Sequence, residues 1–484
     1  ATTEIYTLSL HDALPILITS TAFSNAGGDF NTYLSAYIEY EVGVDNQLYY
    51  AETRESEPTS SSTFNNTWNG LYSTLKSARI IINQCSEGGI DYGNFATKGM
   101  AEVLAAYNCA LIADMFGDAP CSQAALVDEN GSPVYLTPKM DKQEEIYTQA
   151  MQYLDDAIAD LQKEDLIDPG AQDLLYQGDA EKWLKLAYGL KARYTMHLLK
   201  RSANKDADME KVLEYVDNSF ESAEEQAAFD VYDANNINPL YGFFVARAGL
   251  GASESMRSKL AEYNDPRLSR AFITKQGASG KEQAPGTADN AVYAPNGTPE
   301  QGTSKYGTSL FMYSISAPTL LLSYHELKFL EAEALCRLER DAKSALKDAV
   351  VAGLLNAENS FTISRKELGK TLINAASSIT EAEAESYFDN TIEAKYTAEP
   401  LKTTMIQKYF ALWGASGEAT ESYNDVRRMK GLGENFIELK NPNSFPLRCP
   451  YGNSDTTTNA EVKAAYGNGQ YVYSENVWWA GGSR

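Results

Sequence analysis

The sequence predicts a mainly α-helical fold, a tetratricopeptide-like scaffold of helix pairs (an α/α superhelix) with long loop insertions. Apolar residues recur at the helical period through much of the chain, and sustained strand alternation occurs nowhere. The helical segments follow one another as antiparallel pairs, as in helical repeats. Trp68-x-x-Leu71 and Trp183-x-x-Leu186 match the opening of a tetratricopeptide repeat. Neither continues with the expected Gly and Tyr, so two unrelated amphipathic helices explain them equally well.

The first half of the chain contains the clearest helical patterns. Residues 17–63 are polar and weakly periodic, which predicts loops with short helical pieces. One helical face is then formed by Trp68, Leu71, Tyr72, Leu75, Ala78 and Ile82. A second helix is predicted over Lys98–Met115, with its end at Gly117. A third begins near Asp141, where Glu144 three residues later indicates a capping box.

The second half alternates between helical and irregular stretches. Helices are predicted after Gly178-Asp179 and over Met209–Asn218, Ser253–Tyr263, Thr319–Leu338, 341–355, 365–375, 380–388 and 395–414. Most of 220–315 is rich in Gly and Pro and predicts long structured loops. The tail after Gly431 is again irregular.

Charge excludes one class of partner. The chain has 41 basic and 66 acidic residues, a net charge of −25, and no basic cluster. Binding to nucleic acid or to anionic lipid needs clustered Lys and Arg, so neither is expected. The hydropathy pattern predicts no membrane-spanning segment.

Motifs for catalysis, cofactors and metals are missing. There is no phosphate-binding loop, no dinucleotide fingerprint and no CxxC pair among the five cysteines. Two of the three histidines, His197 and His325, lie in predicted helices, where a packed or surface role is the more common one. Asp230-Val-Tyr-Asp233-Ala-Asn-Asn lacks the order of a calcium loop and predicts an ordinary turn. We therefore expect no enzyme, no cofactor and no bound metal, although two opposed carboxylates would suffice for a glycoside hydrolase.

The aromatic content is the feature of the composition that indicates a ligand class. The chain contains 31 Tyr, 17 Phe and 5 Trp, and several of them lie in predicted loops beside polar residues. The apolar face of a sugar ring stacks on an aromatic ring while neighbouring polar groups bond its hydroxyls. Loop aromatics therefore indicate carbohydrate binding, and anchoring of the loops to the core is the plainer alternative.

Short motifs in a shared order resemble the SusD/RagB family of outer-membrane nutrient-binding lipoproteins of Bacteroidetes. The motifs are Ala110–Pro120, Glu145–Ile158, Gly178–Arg193, Asn264–Leu268, Glu326–Ala334, Ile406–Tyr409, Asn424–Arg428 and Pro446–Tyr451. Each is short and common by itself, whereas their order over residues 65–460 is specific.

The resemblance implies a surface-exposed, non-catalytic lipoprotein of the outer membrane. Such a protein binds oligosaccharides, or in some members peptides, and delivers them to a SusC-like TonB-dependent transporter. Two alternatives remain beside this one: a structural partner of the transporter that binds no nutrient, and a glycoside hydrolase.

Six candidate ligand-binding residues follow from the resemblance and from the loop aromatics. The resemblance places part of the site in the region of Arg54, Asn65 and Trp68, although no motif aligns them residue by residue. Trp68 also heads an apolar stripe, so a core role fits it at least as well. The remaining candidates lie in the 290–313 loop and are Tyr293, Tyr306 and Tyr313.

The first residues need separate treatment. Tyr6–Ile16 reads like a translated sequencing adapter. We therefore expect residues 1–16 to be non-native, and residues 17–484 to form a single SusD-like domain. The signal peptide and the lipobox cysteine of the family are then absent from this sequence for that reason, and anchoring is implied by the resemblance alone.

Overall fold

The computed structural model describes residues 9–276, 281–285 and 292–484 of the chain. Residues 1–8 of the segment 1–16, predicted to be non-native, lie outside this range. Helices dominate the described chain, which confirms the predicted mainly helical class. They are α1 Leu10–Thr19, α2 Asp29–Tyr37, α3 Asn46–Thr53, α4 Phe64–Cys85, α5 Phe95–Phe116, α6 Gln143–Asp160, α7 Ala180–His197, α8 Lys205–Asp217, α9 Pro239–Arg247, α10 Glu254–Glu262, α11 Leu268–Ala271, α12 Tyr324–Arg337, α13 Lys343–Leu368, α14 Glu381–Tyr387, α15 Glu393–Ala398, α16 Pro400–Ala411, α17 Ala419–Gly431, α18 Asn453–Thr458 and α19 Ala460–Tyr466.

The strands are short. They are β1 Glu41–Gly43, β2 Ala119–Pro120, β3 Met140–Asp141, β4 Ala227–Phe229, β5 Leu250–Ala252, β6 Phe272–Gln276, β7 Lys281–Gln283, β8 Thr308–Ser309, β9 Thr319–Leu322 and β10 Leu372–Ile373.

The described chain forms two compact units, each built from separated segments. Unit 1 comprises Ala1–Asn25, Glu57–Phe229 and Pro446–Arg484, and unit 2 comprises Ala26–Ser56 and Asp230–Phe445. The single domain over 17–484 stays a prediction.

Unit 1 contains the helix pairs. Helix α4 packs against α5, α5 against α6, α6 against α7, and α7 against α8. The predicted stripe of α4 faces this core: Trp68, Leu71, Leu75 and Ala78 are wholly buried. This consecutive antiparallel packing agrees with the predicted tetratricopeptide-like scaffold.

Helix α5 differs from the sequence expectation in one respect. Among the described helices it alone has the length and hydropathy of a membrane span, and its apolar window is entirely buried inside the protein. A helix that is apolar on every side is buried by its neighbours in the core of a large protein. Its predicted end is confirmed, since the helix stops at Phe116 and Gly117 follows at a φ of 76°.

Three predicted helix bounds are wrong. The capping interaction of α6 joins the Lys142 N–H to Glu145 Oε2, one residue later than predicted. Asp141 instead accepts bonds from the backbone of residues 121 and 122. Residues 319–322 form β9, so α12 begins only after the Ser323 cap. The predicted pieces 341–355 and 365–375 are largely one helix, α13.

Unit 2 combines a helical core with a small sheet. Helices α12, α13 and α16 pack together. Four strands form a sheet in the order β10-β7-β6-β8, with Ile273 opposite Thr308 and Thr274 opposite Gln283. Strand β1 pairs antiparallel with β5. Parts of region 220–315, which was predicted to form loops, therefore form strands. These strands are too short for an alternating sequence pattern to show.

Candidate functional site

Unit 2 contains a small open cleft whose interior, about 20 Å³, has room for about one water molecule. It lies where α9, the β1–β5 pair and the β6–β7 hairpin meet the loop that leads into β8. Its lining residues are Val44, Phe244, Ala248, Leu250, Gly251, Ile273, Thr274, Glu282, Gly302, Thr303, Tyr306, Gly307 and Thr308. We refer to it as the unit 2 cleft.

Glycines let the loop before β8 lie close to the strands. A Cβ on Gly307 would overlap the carbonyl oxygen of Ile273, and one on Gly251 would lie 3.0 Å from Val44. The loop is fixed by main-chain bonds: Ala252 N–H donates to the Gly307 carbonyl at 2.8 Å, and Gly302 N–H donates to the Val44 carbonyl at 2.8 Å. The cleft wall is therefore held by backbone hydrogen bonds, and it leaves little room for a side chain at Gly251 or Gly307.

Tyr306 is the candidate that lines the cleft directly. Its half-buried ring packs against Val42, Val44 and Ala294. Its hydroxyl oxygen accepts a hydrogen bond from the Glu300 N–H at 2.8 Å. Both contacts fix the ring, so an aromatic surface is preorganised at the cleft before any ligand arrives.

Tyr313 supports the cleft from behind. Its hydroxyl donates to Glu282 Oε1 at 2.9 Å, and its ring lies edge-on to Phe244 with centroids 5.5 Å apart. Burial, together with the Glu282 charge, raises the pKa of Tyr313 well above its usual range, so it remains a donor at all ordinary pH values. Tyr313 therefore orients two lining side chains, Glu282 and Phe244.

Tyr293 lies in the same unit but does not line the cleft. Its ring packs edge-on against Phe272 at 5.2 Å, and the Arg257 guanidinium lies 5.4 Å from its centroid. Burial raises the pKa of Tyr293 to about 12. These contacts match the anchoring role that the sequence left open for loop aromatics.

Arg54 is committed to the backbone of unit 2. The residue is 7 % exposed and follows α3 at a φ of 53°. Its guanidinium donates to the carbonyls of Ala51, Ser444 and Tyr37 at 3.1, 3.3 and 3.4 Å. The Arg54 guanidinium thus forms hydrogen bonds to three separated segments of the chain.

Asn65 and Trp68 lie in unit 1. The Trp68 ring is 0 % exposed, packs against Tyr72, Phe116 and Tyr451, and donates from Nε1 to Asp455 at 2.5 Å. As placed, it has the core role that its apolar stripe indicated. Asn65 is half-buried, and its Oδ1 accepts from the Ser454 N–H at 3.2 Å.

The sequence missed most of the cleft. Phe244, Thr274, Glu282, Thr303 and Thr308 were not among its candidates. The spaced glycines around Tyr306 were a usable signal, because they mark a loop pressed against neighbouring backbone. No local sequence pattern predicts that Glu282 on β7 lines the same cleft as Tyr306, because its position depends on the pairing of β6 with β7.

Among the residues that the structure describes, no group of three or more His, Cys, Asp and Glu side chains could hold a metal ion. Within the stretch Asp230–Asn236, for which an ordinary turn was predicted, the chain bends at residues 234–236. Asp233 Oδ1 accepts from the backbone N–H groups of Asn235 and Asn236 at 2.7 and 2.8 Å.

Comparison with known proteins gives a family and a fold. Residues 16–451 match the SusD-like family described as "starch-binding associating with outer membrane". The chain is 68 % identical to a SusD/RagB family protein of Bacteroides thetaiotaomicron, over 99 % of this chain and 100 % of that one, with a TM-score of 0.95. No curated protein matches the sequence.

Two more distant structures share the fold. A chitin-binding protein is 20 % identical, with a TM-score of 0.72 over 97 % of this chain and 99 % of its own. A SusD homologue of Bacteroides fragilis is 19 % identical, with a TM-score of 0.72 over 98 % of this chain and 100 % of its own.

Proposed function

Because the chain belongs to the SusD/RagB family, we propose that it is a non-catalytic glycan-binding subunit that delivers oligosaccharides to a SusC-like TonB-dependent transporter. The family description names starch and the outer membrane, and one structural neighbour is named for chitin. The ligand class we propose is a neutral oligosaccharide that stacks on the half-exposed face of Tyr306 at the mouth of the unit 2 cleft, because the cleft interior of about 20 Å³ is too small to enclose a sugar ring.

The single observation that carries this proposal is the fixed ring of Tyr306 in a cleft rimmed by hydroxyls and a carboxylate. A pyranose presents an apolar face and a belt of hydroxyls, and it needs both kinds of surface within one site. Thr274, Thr303, Thr308 and Glu282 supply hydrogen-bonding groups around the ring.

The cleft also supports binding without hydrolysis. Glycoside hydrolysis requires two carboxyl groups on opposite sides of the scissile bond. Glu282 is the one acidic residue among the described residues that line the cleft, and its Oε1 already accepts the Tyr313 hydroxyl. We therefore propose that ligand leaves the site unchanged.

Calorimetry against a panel of neutral polysaccharides and oligosaccharides tests the ligand class. We expect one glycan to bind, and Tyr306→Ala to weaken its affinity at least about tenfold because the stacking surface is removed. Tyr306→Phe keeps the ring and should bind within about threefold of wild type. Tyr135→Ala, at a half-exposed tyrosine of unit 1, serves as the control and should bind normally.

If no glycan binds and a peptide does, the ligand would be a peptide, as in the peptide-binding members of the family. Release of reducing sugar by the purified protein would replace it with hydrolysis.

We also propose that the native protein is a surface-exposed lipoprotein of the outer membrane. The test uses the chromosomal gene with a C-terminal tag, membrane fractionation and surface proteolysis of intact cells. Co-purification with a TonB-dependent transporter tests the partner, and recovery of the protein alone from solubilised outer membrane would contradict it.

A further inference from the structure

Two of the five cysteines are neighbours in unit 1. Cys109 lies on the inner side of α5, and Cys121 follows β2 directly. Their Sγ atoms are 3.4 Å apart, and both residues are 0 % exposed. All five cysteines are free thiols in the structure.

The environment of Cys121 favours its thiolate. Arg79 Nη2 lies 3.9 Å from Cys121 Sγ, and Arg79 Nη1 donates to the Cys121 carbonyl at 2.7 Å. In its protonated form the Cys121 thiol donates to Gln149 Oε1 at 3.2 Å, and the thiolate gives this bond up. The hydrogen bond from Cys109 and the Arg79 charge lower the pKa of Cys121, whereas the same hydrogen bond and burial raise that of Cys109. Thiol–disulfide exchange starts from the thiolate of lower pKa.

A disulfide between Cys109 and Cys121 requires little movement of the two sulfur atoms. A disulfide holds its sulfurs about 2.05 Å apart, so the two Sγ atoms must approach by little more than 1 Å. An open pocket of about 230 Å³ lies nearby, lined in part by Arg79 and Tyr153. The Arg79 Nε donates to the Tyr153 hydroxyl at 3.1 Å, so the guanidinium that contacts Cys121 also borders open space.

We propose that Cys109 and Cys121 form an intramolecular disulfide when the chain folds in the presence of a small-molecule disulfide such as oxidised glutathione. The Cys121 thiolate attacks one glutathione sulfur, forms a mixed disulfide and releases one glutathione thiolate. Cys109 loses its proton to that thiolate and displaces the second glutathione from Cys121. The protein loses two electrons and two protons in total, and one oxidised glutathione becomes two reduced molecules.

The bond would join the middle of α5 to the chain that leaves β2. It closes a short loop across a helix end, which restricts the unfolded chain. Disulfides persist outside the cytoplasm, so formation in cells rests on the proposed outer-membrane location. The test in purified protein does not, and it therefore remains decisive if glycan binding fails.

The experiment refolds the full chain from denaturant in glutathione buffers of increasing oxidised fraction. Thiols are then alkylated under denaturing conditions and counted by intact mass, with peptide mapping of any linked pair. We expect five alkylated thiols in reducing buffer and three in oxidising buffer, with Cys109 linked to Cys121. The oxidised protein should also unfold several degrees higher than the reduced one.

Three single-cysteine variants distinguish a specific Cys109–Cys121 disulfide from nonspecific oxidation. Cys85→Ser removes a buried cysteine whose pKa burial raises to about 12, and it should still lose two thiols. Cys109→Ala and Cys121→Ala should each keep all four remaining thiols. Five free thiols, or glutathione retained on Cys121, in protein with native circular dichroism would overturn the proposal. The wild-type peptide map alone decides the question if a variant does not fold.

Discussion

Charged side chains in the core of unit 2 form a closed cluster. Glu333 accepts from Arg428 Nη2 at 2.8 Å and from Arg337 Nε at 2.9 Å. Asp425 pairs with Arg428 at 2.9 Å and with Lys408 at 2.9 Å. Burial alone would raise the pKa of Glu333, but Arg428 and Arg337 hold it well below its usual range. Three family-like motifs contribute all of these residues except Arg337, so the order of these motifs in the sequence reflects the core of unit 2.

Removing one charge from this cluster should be costly. Arg337 keeps its pair with Glu434 in Glu333→Gln, but the buried Arg428 is left to share Asp425 with Lys408, and we expect a loss of about 3–5 kcal/mol of unfolding free energy in urea. Glu331→Gln on the same helix breaks only a partly exposed pair with Lys328, so its cost should stay below about 1 kcal/mol. Equal losses in the two variants would contradict a special role for the cluster.

Two other carboxylates of unit 2 are buried without such compensation. Burial raises the pKa of Glu41 to about 8, and hydrogen bonds from Trp413 and Ser309 offset this only in part. Burial also raises the pKa of Glu52 to about 7, despite the Arg54 charge and the N–H groups of Gly297 and Gly43. In both cases the folded state holds a proton that the unfolded chain releases near pH 4.5.

This proton makes stability depend on pH with a definite sign. The contribution is complete below the unfolded pKa of about 4.5 and is lost as the pH rises through the folded value of about 8 for Glu41. Unfolding free energy should therefore fall between pH 5 and pH 8. Glu41→Gln does not titrate, and its fall should be smaller by about 2 kcal/mol or more.

Urea titrations at the two pH values measure this difference. Glu55→Gln, at an exposed site in the same unit, is the control and should follow wild type. Parallel pH profiles for wild type and Glu41→Gln would refute the assignment of a raised pKa to Glu41.

At the scale of elements, the end of α5 explains two further motifs. Gly117 terminates the helix at φ 76° and ψ −130°, and a Cβ there would overlap Arg448 Nη2 and lie 2.9 Å from the Arg484 carbonyl oxygen. Arg448 Nη2 donates to the Phe116 carbonyl, and the Tyr451 hydroxyl donates to the Asp118 carbonyl at 2.8 Å. Motifs more than 300 residues apart in sequence thus meet at one helix end.

A pair of glycine variants separates backbone strain from this close packing. Gly467 ends α19 at φ 58° and ψ −122°, and the heavy atom nearest to its Cβ position is the Ala464 carbonyl oxygen, 4.0 Å away. We expect Gly467→Ala to cost about 1–2 kcal/mol through backbone strain alone. Gly117→Ala should cost at least about 2 kcal/mol more, because Arg448 and the Arg484 backbone must move. Similar urea midpoints for the two variants would show that the contact with Arg448 is unimportant.

The sequence predicts long helices better than it predicts sites. Helix α4 follows from a stripe of six residues, and this stripe also places Trp68 in the core. Strands of two to five residues are too short for alternation to show, so β6 and β7 were read as loop. Tyr306 was identified because it is an aromatic in a glycine-rich loop. Glu282 was not, because its position depends on strand pairing that no local pattern encodes.

At the scale of the whole molecule, the net charge of −25 bears on which ligands approach. An acidic surface repels anionic glycans over roughly the Debye length, about 8 Å at physiological ionic strength. The unit 2 cleft offers a ring, hydroxyls and one carboxylate, and among its described lining residues no cation. A neutral glycan meets neither attraction nor repulsion from this field.

Salt therefore provides a test of how the ligand is held. Affinity for a neutral glycan should change less than about twofold between about 50 mM and about 500 mM NaCl, because stacking and neutral hydrogen bonds are not screened. An anionic polysaccharide of similar length is the control and should bind poorly at low salt. A steep loss of neutral-glycan affinity with salt would show that charged contacts dominate instead.

The discontinuous composition of the two units has a consequence for the order of folding. Synthesis and export release the chain from its N-terminus, yet unit 1 needs Pro446–Arg484 as well as Glu57–Phe229. Arg448 can reach the end of α5 only after all of unit 2 has emerged. Contacts between residues so far apart in sequence slow folding and leave apolar surface exposed in the meantime. A nascent chain of this protein therefore carries an incomplete unit 1 until Pro446–Arg484 has emerged, and its apolar surface is open to aggregation during that interval.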